Sequence, residues 1–112
     1  MENINWNEFK KVEIRTGTII TVEDFTEAKN QAYRLTIDLG ENIGIKKTSA
    51  QITALYSKKD LIKKQVIVVV NLPLKQIGPH TSDCLITGFY YNKDTVVLAV
   101  PDKKISNGLL LA

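Results

Sequence analysis

The chain has 112 residues, 44% of them hydrophobic and 24% charged, with a formal net charge of +3; this is the size and balance of one domain with a real core, residues 1–112, and it excludes a disordered chain. The single cysteine, Cys84, excludes an intrachain disulfide and lies in an apolar run, so a buried thiol is expected. The polar, acidic start MENINWNEF is unlike a signal peptide and no apolar run approaches the roughly 20 residues of a membrane span, so the expected location is the cytoplasm.

Residues 1–10 read as an N-terminal arm or helix, with Asn5 or Asn7 as cap and Ile4, Trp6 and Phe9 in need of cover. From Lys11 to Val22 polar and apolar residues alternate. Val12, Ile14, Thr16, Thr18, Ile20 and Val22 are expected on one face of a long first strand that Gly17 lets bend. A polar loop carrying Phe25, Ala28 and Lys29 leads to a second strand with Tyr33, Leu35, Ile37 and Leu39 inward and Arg34, Thr36 and Asp38 outward. Gly40-Glu41-Asn42 makes the turn into a third strand, Ile43 to Ser49, with Lys46 or Lys47, Thr48 and Ser49 on its outer positions.

Between Ala50 and Lys64 the period of two disappears, and Ser57-x-x-Asp60 predicts a short capped helix. Val66 to Val70 is an unbroken β-branched run, as expected of a fourth strand covered on both faces. Pro73 ends its pairing, and a loop stiffened by Pro73, Gly78 and Pro79 presents Asn71, Lys75, Gln76, His80, Thr81 and Ser82. Cys84 to Tyr91, Asn92-Lys93-Asp94 and Thr95 to Val100 then read as strand, turn and strand. A C-terminal extension turns at Asn107-Gly108, and Leu109, Leu110 and Leu111 are expected to pair with a sheet edge or a second subunit. Three strands, a short helix and two more strands is the order of an all-β, five-stranded oligonucleotide/oligosaccharide-binding (OB) barrel. Periodicity alone also allows another small barrel.

Enzymatic chemistry finds little footing. The lone His80, expected as an exposed loop residue, has no cysteine or carboxylate partner at useful spacing, and there is no glycine-rich phosphate loop or metal-ligand cluster. No catalytic residue, metal or cofactor is expected. Charge is distributed unevenly: residues 43–82 carry seven lysines against Asp60 alone, a net +6 that leaves −3 for the remainder. Such polarity attracts polyanions, although lysines that only solubilise a strand-rich half give the same count. Arg15, Arg34, Lys46 or Lys47, and Lys75 suit phosphate contacts, Asn71, Ser49 and Ser82 suit base edges or ribose hydroxyls, and Phe25 and Tyr33 are either core or stacking residues.

These pieces resemble a known family. FKKVEIRTGTI at 9–19, AYRLTIDLG at 32–40, GIKKTSAQI at 44–52, QVIVVVNLPLKQIGPHTSDCLITG at 65–88, VVLAVPD at 96–102 and the Asn107-Gly108 turn are similar to the stand-alone tRNA-binding domain proteins of the CsaA type, relatives of the domain appended to methionyl-tRNA synthetases. The resemblance implies the OB fold, structure-dependent tRNA binding, and a homodimer joined through the arm (Ile4, Trp6, Phe9) and the tail (Leu109, Leu110, Leu111). It also implies Lys29, Ser49, Gln51, Asn71, Lys75, Ser82 and Leu85 as RNA-contacting positions, with Arg15 contacting RNA or holding the fold. A chaperone role linked to export, binding unfolded preproteins, is a second implication. The chain departs from the family pattern at Leu74, where many relatives have a second proline, at Leu85, where synthetase-appended relatives often have methionine, and at Lys63-Lys64, where a glycine is frequent.

Overall fold

The computed structural model describes residues 1–112. Asn5 opens helix α1 (Trp6–Lys11): its side chain accepts from the Glu8 N–H at 2.9 Å while Glu8 Oε1 accepts from the Asn5 N–H at 3.1 Å. This reciprocal capping satisfies two N–H groups that the first turn leaves open. The helix itself buries no residue. It is tethered from behind, because Asn71 Oδ1 accepts from the Glu13 N–H at 2.9 Å and its Nδ2 donates to the Lys11 carbonyl at 2.6 Å.

Strands β1 (Ile14–Asp24), β2 (Tyr33–Asp38) and β3 (Ile45–Ala50) form an antiparallel meander. Helix α2 (Lys58–Leu61) follows, then β4 (Gln65–Val69), the hairpin of β5 (Lys75–Ile77) and β6 (His80–Ser82), the short β7 (Leu85–Ile86), and the hairpin of β8 (Gly88–Asn92) and β9 (Thr95–Leu98). The main sheet runs β3-β2-β1-β4-β7, so β4 is an interior strand as its apolar run predicted. Its outer strands approach one another where the Asp83 N–H donates to the Lys47 carbonyl at 2.9 Å and Thr48 Oγ1 donates to the Cys84 carbonyl at 2.8 Å. The result is a nearly closed five-stranded OB barrel with the short helix between its third and fourth strands, as expected.

Gly17 is what allows β1 to serve two partners. It pairs with β4 over Ile14–Thr18 and with β2 from Thr18 onward, and a Cβ at Gly17 would lie 2.6 Å from Ile37 Cγ2 and 2.8 Å from Leu39 Cδ2. The register then shifts between Ile19 and Thr21, and this bulge corrects the expected face assignment: Ile19 is fully buried, whereas Ile20 is exposed. One inserted residue turns every later side chain over, which strict alternation misses. A second correction falls on Thr48, expected outward. It is 1% exposed, its hydroxyl spent on the Cys84 carbonyl. The core is built from Ile19, Leu35, Ile37, Leu39, Leu61, Val66 and Val68 with Cys84, Ile86 and Leu98 around them.

The predicted Ser57-x-x-Asp60 cap is present, and it delivers Leu61 to the core. Lys63 directly after it is the sole non-glycine residue with positive φ, 69°. It lies in the Lys63-Lys64 pair that the resemblance marked as a place for glycine, whose missing side chain makes this backbone region accessible. The run from Cys84 to Tyr91 is broken into two strands because Thr87 turns both its N–H (3.0 Å) and its hydroxyl (2.8 Å) onto the Ile67 carbonyl. The tail returns to β1. Gly108, at φ +83°, donates to Thr16 at 2.7 Å, and the Leu111 N–H donates to Ile14 at 2.8 Å.

Candidate nucleic-acid interface

The register lays polar side chains side by side across β1, β2, β3 and the β5–β6 hairpin, with Lys47 and Lys75 exposed and Ser82 buried, 8% exposed. Glu23 of β1 stands opposite Arg34 of β2, Arg34 opposite Ser49 of β3, the Ser49 and Ser82 hydroxyls are 3.5 Å apart, and Ser82 stands opposite Lys75 on β5. One pair along, Lys47 faces Thr36, and its N–H donates to Asp83 Oδ1 at 2.7 Å. Because side chains alternate, Lys47, Ser49 and, just past the strand, Gln51 project outward between inward Thr48 and half-buried Ala50. Lys47 and Lys75 are exposed and neither has an ion-pair partner. Cations held on a stiff sheet without an ion-pair partner are available to phosphate.

The loop between β1 and β2 leans on the β5–β6 hairpin, so one loop from each side frames this surface. Phe25, 3% exposed, meets the His80 ring edge-on at a centroid distance of 5.2 Å, and the Arg34 guanidinium lies 5.7 Å from the Phe25 centroid. His80, expected as an exposed loop residue, is therefore buried, 9% exposed, and Phe25 and Tyr33 are core rather than stacking platforms. The loop expected after the fourth strand is folded as the β5–β6 hairpin, and this explains the difference. From His80 to Ile86 buried residues alternate with more exposed ones, His80, Ser82, Cys84 and Ile86 all facing in. That period of two was present in the sequence but masked by the residue types occupying it.

Two buried nitrogens in this surface have no hydrogen-bond partner in the chain: Arg34 Nε and His80 Nε2. Leaving such a group unsatisfied costs on the order of 1–3 kcal/mol each, so their coincidence at one place makes it a candidate site. Both residues, with Glu23, Leu35, Thr36 and Lys47, line a cavity of about 140 Å³. Arg34 Nη2 is 3.6 Å from Glu23 Oε2, the one carboxylate there.

The remaining sequence-predicted positions divide. Lys29 is exposed on the loop that carries Phe25, and Leu85 is half exposed, 46%, beside the barrel-closing Asp83 and Cys84. Asn71 and Arg15 lie elsewhere, at the start of β1, and their side chains are occupied. Asn71 holds Lys11 and Glu13, while Arg15 Nε donates to Glu13 Oε1 at 2.7 Å and Nη1 to the Gly108 carbonyl at 2.7 Å. The apolar arm and tail are uncovered: Ile4 is 64%, Trp6 77% and Leu110 59% exposed, with Phe9, Leu109 and Leu111 also exposed. Sequence reasoning placed Arg34 outward as a phosphate contact and His80 in the presenting loop but as an exposed residue, and it missed Glu23. Cys84 is buried as expected, and desolvation, followed by the Asp83 carboxylate, pushes its thiol up to about 12.

Comparison with known proteins identifies the family. Residues 14–109 match the family model described as "Putative tRNA binding domain". The chain is similar to the CsaA chaperone of Picrophilus torridus, 44% identical with a TM-score of 0.91, covering 98% of this chain and 100% of that one. It is likewise similar to the chaperone CsaA of Bacillus anthracis, 37% identical with a TM-score of 0.94, covering 99% and 100%. Methionine–tRNA ligase of Leptospira biflexa is 36% identical over 108 residues, which is 96% of this chain but only 15% of that protein; the chain spans about 14–15% of the length of such curated relatives. Its barrel, its motifs in order and these matches place the chain in the tRNA-binding domain family, among members of the CsaA type.

Proposed function

We propose that residues 1–112 act as one non-catalytic tRNA-binding unit, which works as a homodimer in the cytoplasm and contacts RNA through the face of β2, β3 and the β5–β6 hairpin. The observation that carries this reading is the convergence of Lys47, Ser49 and Lys75 on one surface, around the buried Ser82, with both lysines unpaired. Strands two and three with their flanking loops are the surface on which OB barrels take oligonucleotides. Lys29 and Gln51 extend it, and Leu85 offers an apolar contact at its margin. Phosphate contacts dominate, so recognition follows RNA shape more than base identity.

Dimerisation accounts for the uncovered arm and tail. Ile4, Trp6, Phe9, Leu109, Leu110 and Leu111 flank the first half of β1, and a second copy covering them removes apolar surface from water. Two faces on one dimer raise avidity for a single folded RNA. The cytoplasmic reading is compatible with the fact that no helix is long and apolar enough to cross a membrane.

Binding of a tRNA transcript measured by fluorescence anisotropy across a salt series tests the central reading. Affinity should fall linearly on logarithmic axes as salt rises, and sedimentation should give a dimer that W6E with L110E converts to monomer. Absence of tRNA binding at low salt ends this reading. A second reading, capture of unfolded preproteins, is favoured by the two CsaA chaperones and by the exposed Leu72, Leu74 and Leu85, with Leu74 at 71%. It predicts that an unfolded apolar peptide binds with little dependence on salt and that L74S with L85S abolishes the binding.

A further inference from the structure

We propose that the cavity between Arg34, Lys47 and His80 is a phosphate pocket, which seats one backbone phosphate of the bound RNA; this rests on the tRNA-binding reading and deepens it. Three observations point to a tetrahedral anion. First, of the six lining residues, Leu35 alone is apolar, and the cavity, about 140 Å³, is well below the roughly 300–1,000 Å³ of small-molecule sites. No Phe, Tyr or Trp lines it, and the one ring that does, the His80 imidazole, is 9% exposed and packed against Phe25. A stacked base has nothing to lie on.

Second, the charge balance favours an anion. Among the lining residues Arg34 and Lys47 bring two cations against the carboxylate of Glu23, which already leans on Arg34 at 3.6 Å, while Asp83, outside the lining, accepts from the Lys47 backbone N–H. A guanidinium presents donors in a planar fork matched to phosphate oxygens, and an ammonium adds a second point of attachment. Third, the site is built but incomplete: His80 is 9% exposed, its ring is fixed against Phe25, and His80 Nε2 and Arg34 Nε are the buried side-chain nitrogens without a partner. Buried polar groups in folded proteins are nearly always paired, so two orphans on residues lining one cavity call for a partner supplied from outside. Arg34 Nε is always a donor, and with His80 Nε2 taken as the protonated nitrogen both call for an acceptor. A phosphate has acceptor oxygens enough for both and for Lys47.

The chain contains one histidine, which makes the imidazole an unambiguous reporter. The experiment follows the His80 side-chain ¹⁵N and ¹H resonances of the wild-type protein during titration with inorganic phosphate, and separately with an unmodified tRNA transcript. In parallel, tRNA affinity is measured for H80F, which keeps an aromatic ring against Phe25 but removes both nitrogens. The expected result is a saturable shift with each ligand and a loss of tRNA affinity of roughly two- to tenfold in H80F, the scale of one hydrogen bond, with an unchanged melting temperature. Bound tRNA that leaves the imidazole resonances unmoved overturns the pocket while the wider interface survives. A phosphate-dependent shift with no tRNA binding at all keeps the pocket and removes the RNA reading. Resonances indifferent to both ligands overturn the proposal outright, whether or not H80F folds.

Discussion

The seam where the chain ends meet β1 and the face across β2, β3 and β6 are both rich in polar side chains, yet they differ in how far those groups are satisfied. At the seam every notable side chain is occupied. Asn71 ties Lys11 to Glu13, Arg15 joins Glu13 to Gly108, the Thr16 hydroxyl donates to the Ser106 carbonyl at 2.8 Å, and Thr18 Oγ1 donates to Asn107 Oδ1 at 2.7 Å. On the face, Lys47 and Lys75 have no carboxylate, and two buried nitrogens have no acceptor. Residue type does not separate structural from ligand-seeking polarity. Hydrogen-bond saturation does.

That contrast breaks most sharply at Gly108. A side chain there would meet the Leu39 carbonyl, with Cβ 2.5 Å from its oxygen, on a backbone at φ +83°, so G108A is expected to lose about 2–4 kcal/mol of stability. Chemical denaturation reads this directly, and tRNA affinity per folded molecule should stay within twofold. The opposite pattern is expected of K47E combined with K75E. Reversing two unpaired surface cations should lower tRNA affinity by more than about tenfold and reduce the salt slope by about 2, while stability moves by no more than about 0.5 kcal/mol. If the double variant instead unfolds and binds normally, the assignment of the two regions is inverted.

Asn71 sharpens the comparison because its residue type suggests RNA contact while its bonds are structural. N71A should cost about 1–2 kcal/mol through the two lost hydrogen bonds with tRNA affinity unchanged; a selective loss of affinity at constant stability would return it to the binding face. A smaller effect is expected at Lys63, whose φ of 69° strains a side chain. K63G should raise stability by about 0.5–1 kcal/mol, the relief of left-handed backbone outweighing the added freedom of the unfolded chain. The smallest effect is none at all: a thiol reagent at pH 8 should leave Cys84 unmodified until the protein unfolds, since desolvation raises its thiol to about 12. The folded-state value lies above the ordinary one of 9.0, so this group's contribution to stability is complete below pH 9 and is lost as pH rises toward 12.

How much of this was readable from residues alone depends on what sets each feature. The strands of β2 and β4, the Ser57 cap and the Asn107-Gly108 turn are encoded locally, by alternation, an apolar β-branched run and turn chemistry, and the structure has them where the sequence put them. Ile20 and Thr48 were misassigned because a bulge in β1 and the closure of β3 against Cys84 are decided by tertiary partners. The same holds for the site. Lys47, Ser49 and Lys75 were legible as outward or loop polarity, whereas the burial of Ser82 and His80 was not, His80 packing on Phe25 from a loop 55 residues earlier. Asn71 and Arg15 look alike with the ligand-seeking residues until their bonds are known.

Hydrogen exchange of the wild-type protein with and without a tRNA transcript tests the division most directly. Amides at 34–36, 47–51 and 75–82 should become protected by RNA, while those at 13–16 and 107–111, held at the seam with or without it, should not change. Protection confined to the seam, with the β2–β3 face exchanging as in the free protein, contradicts the account.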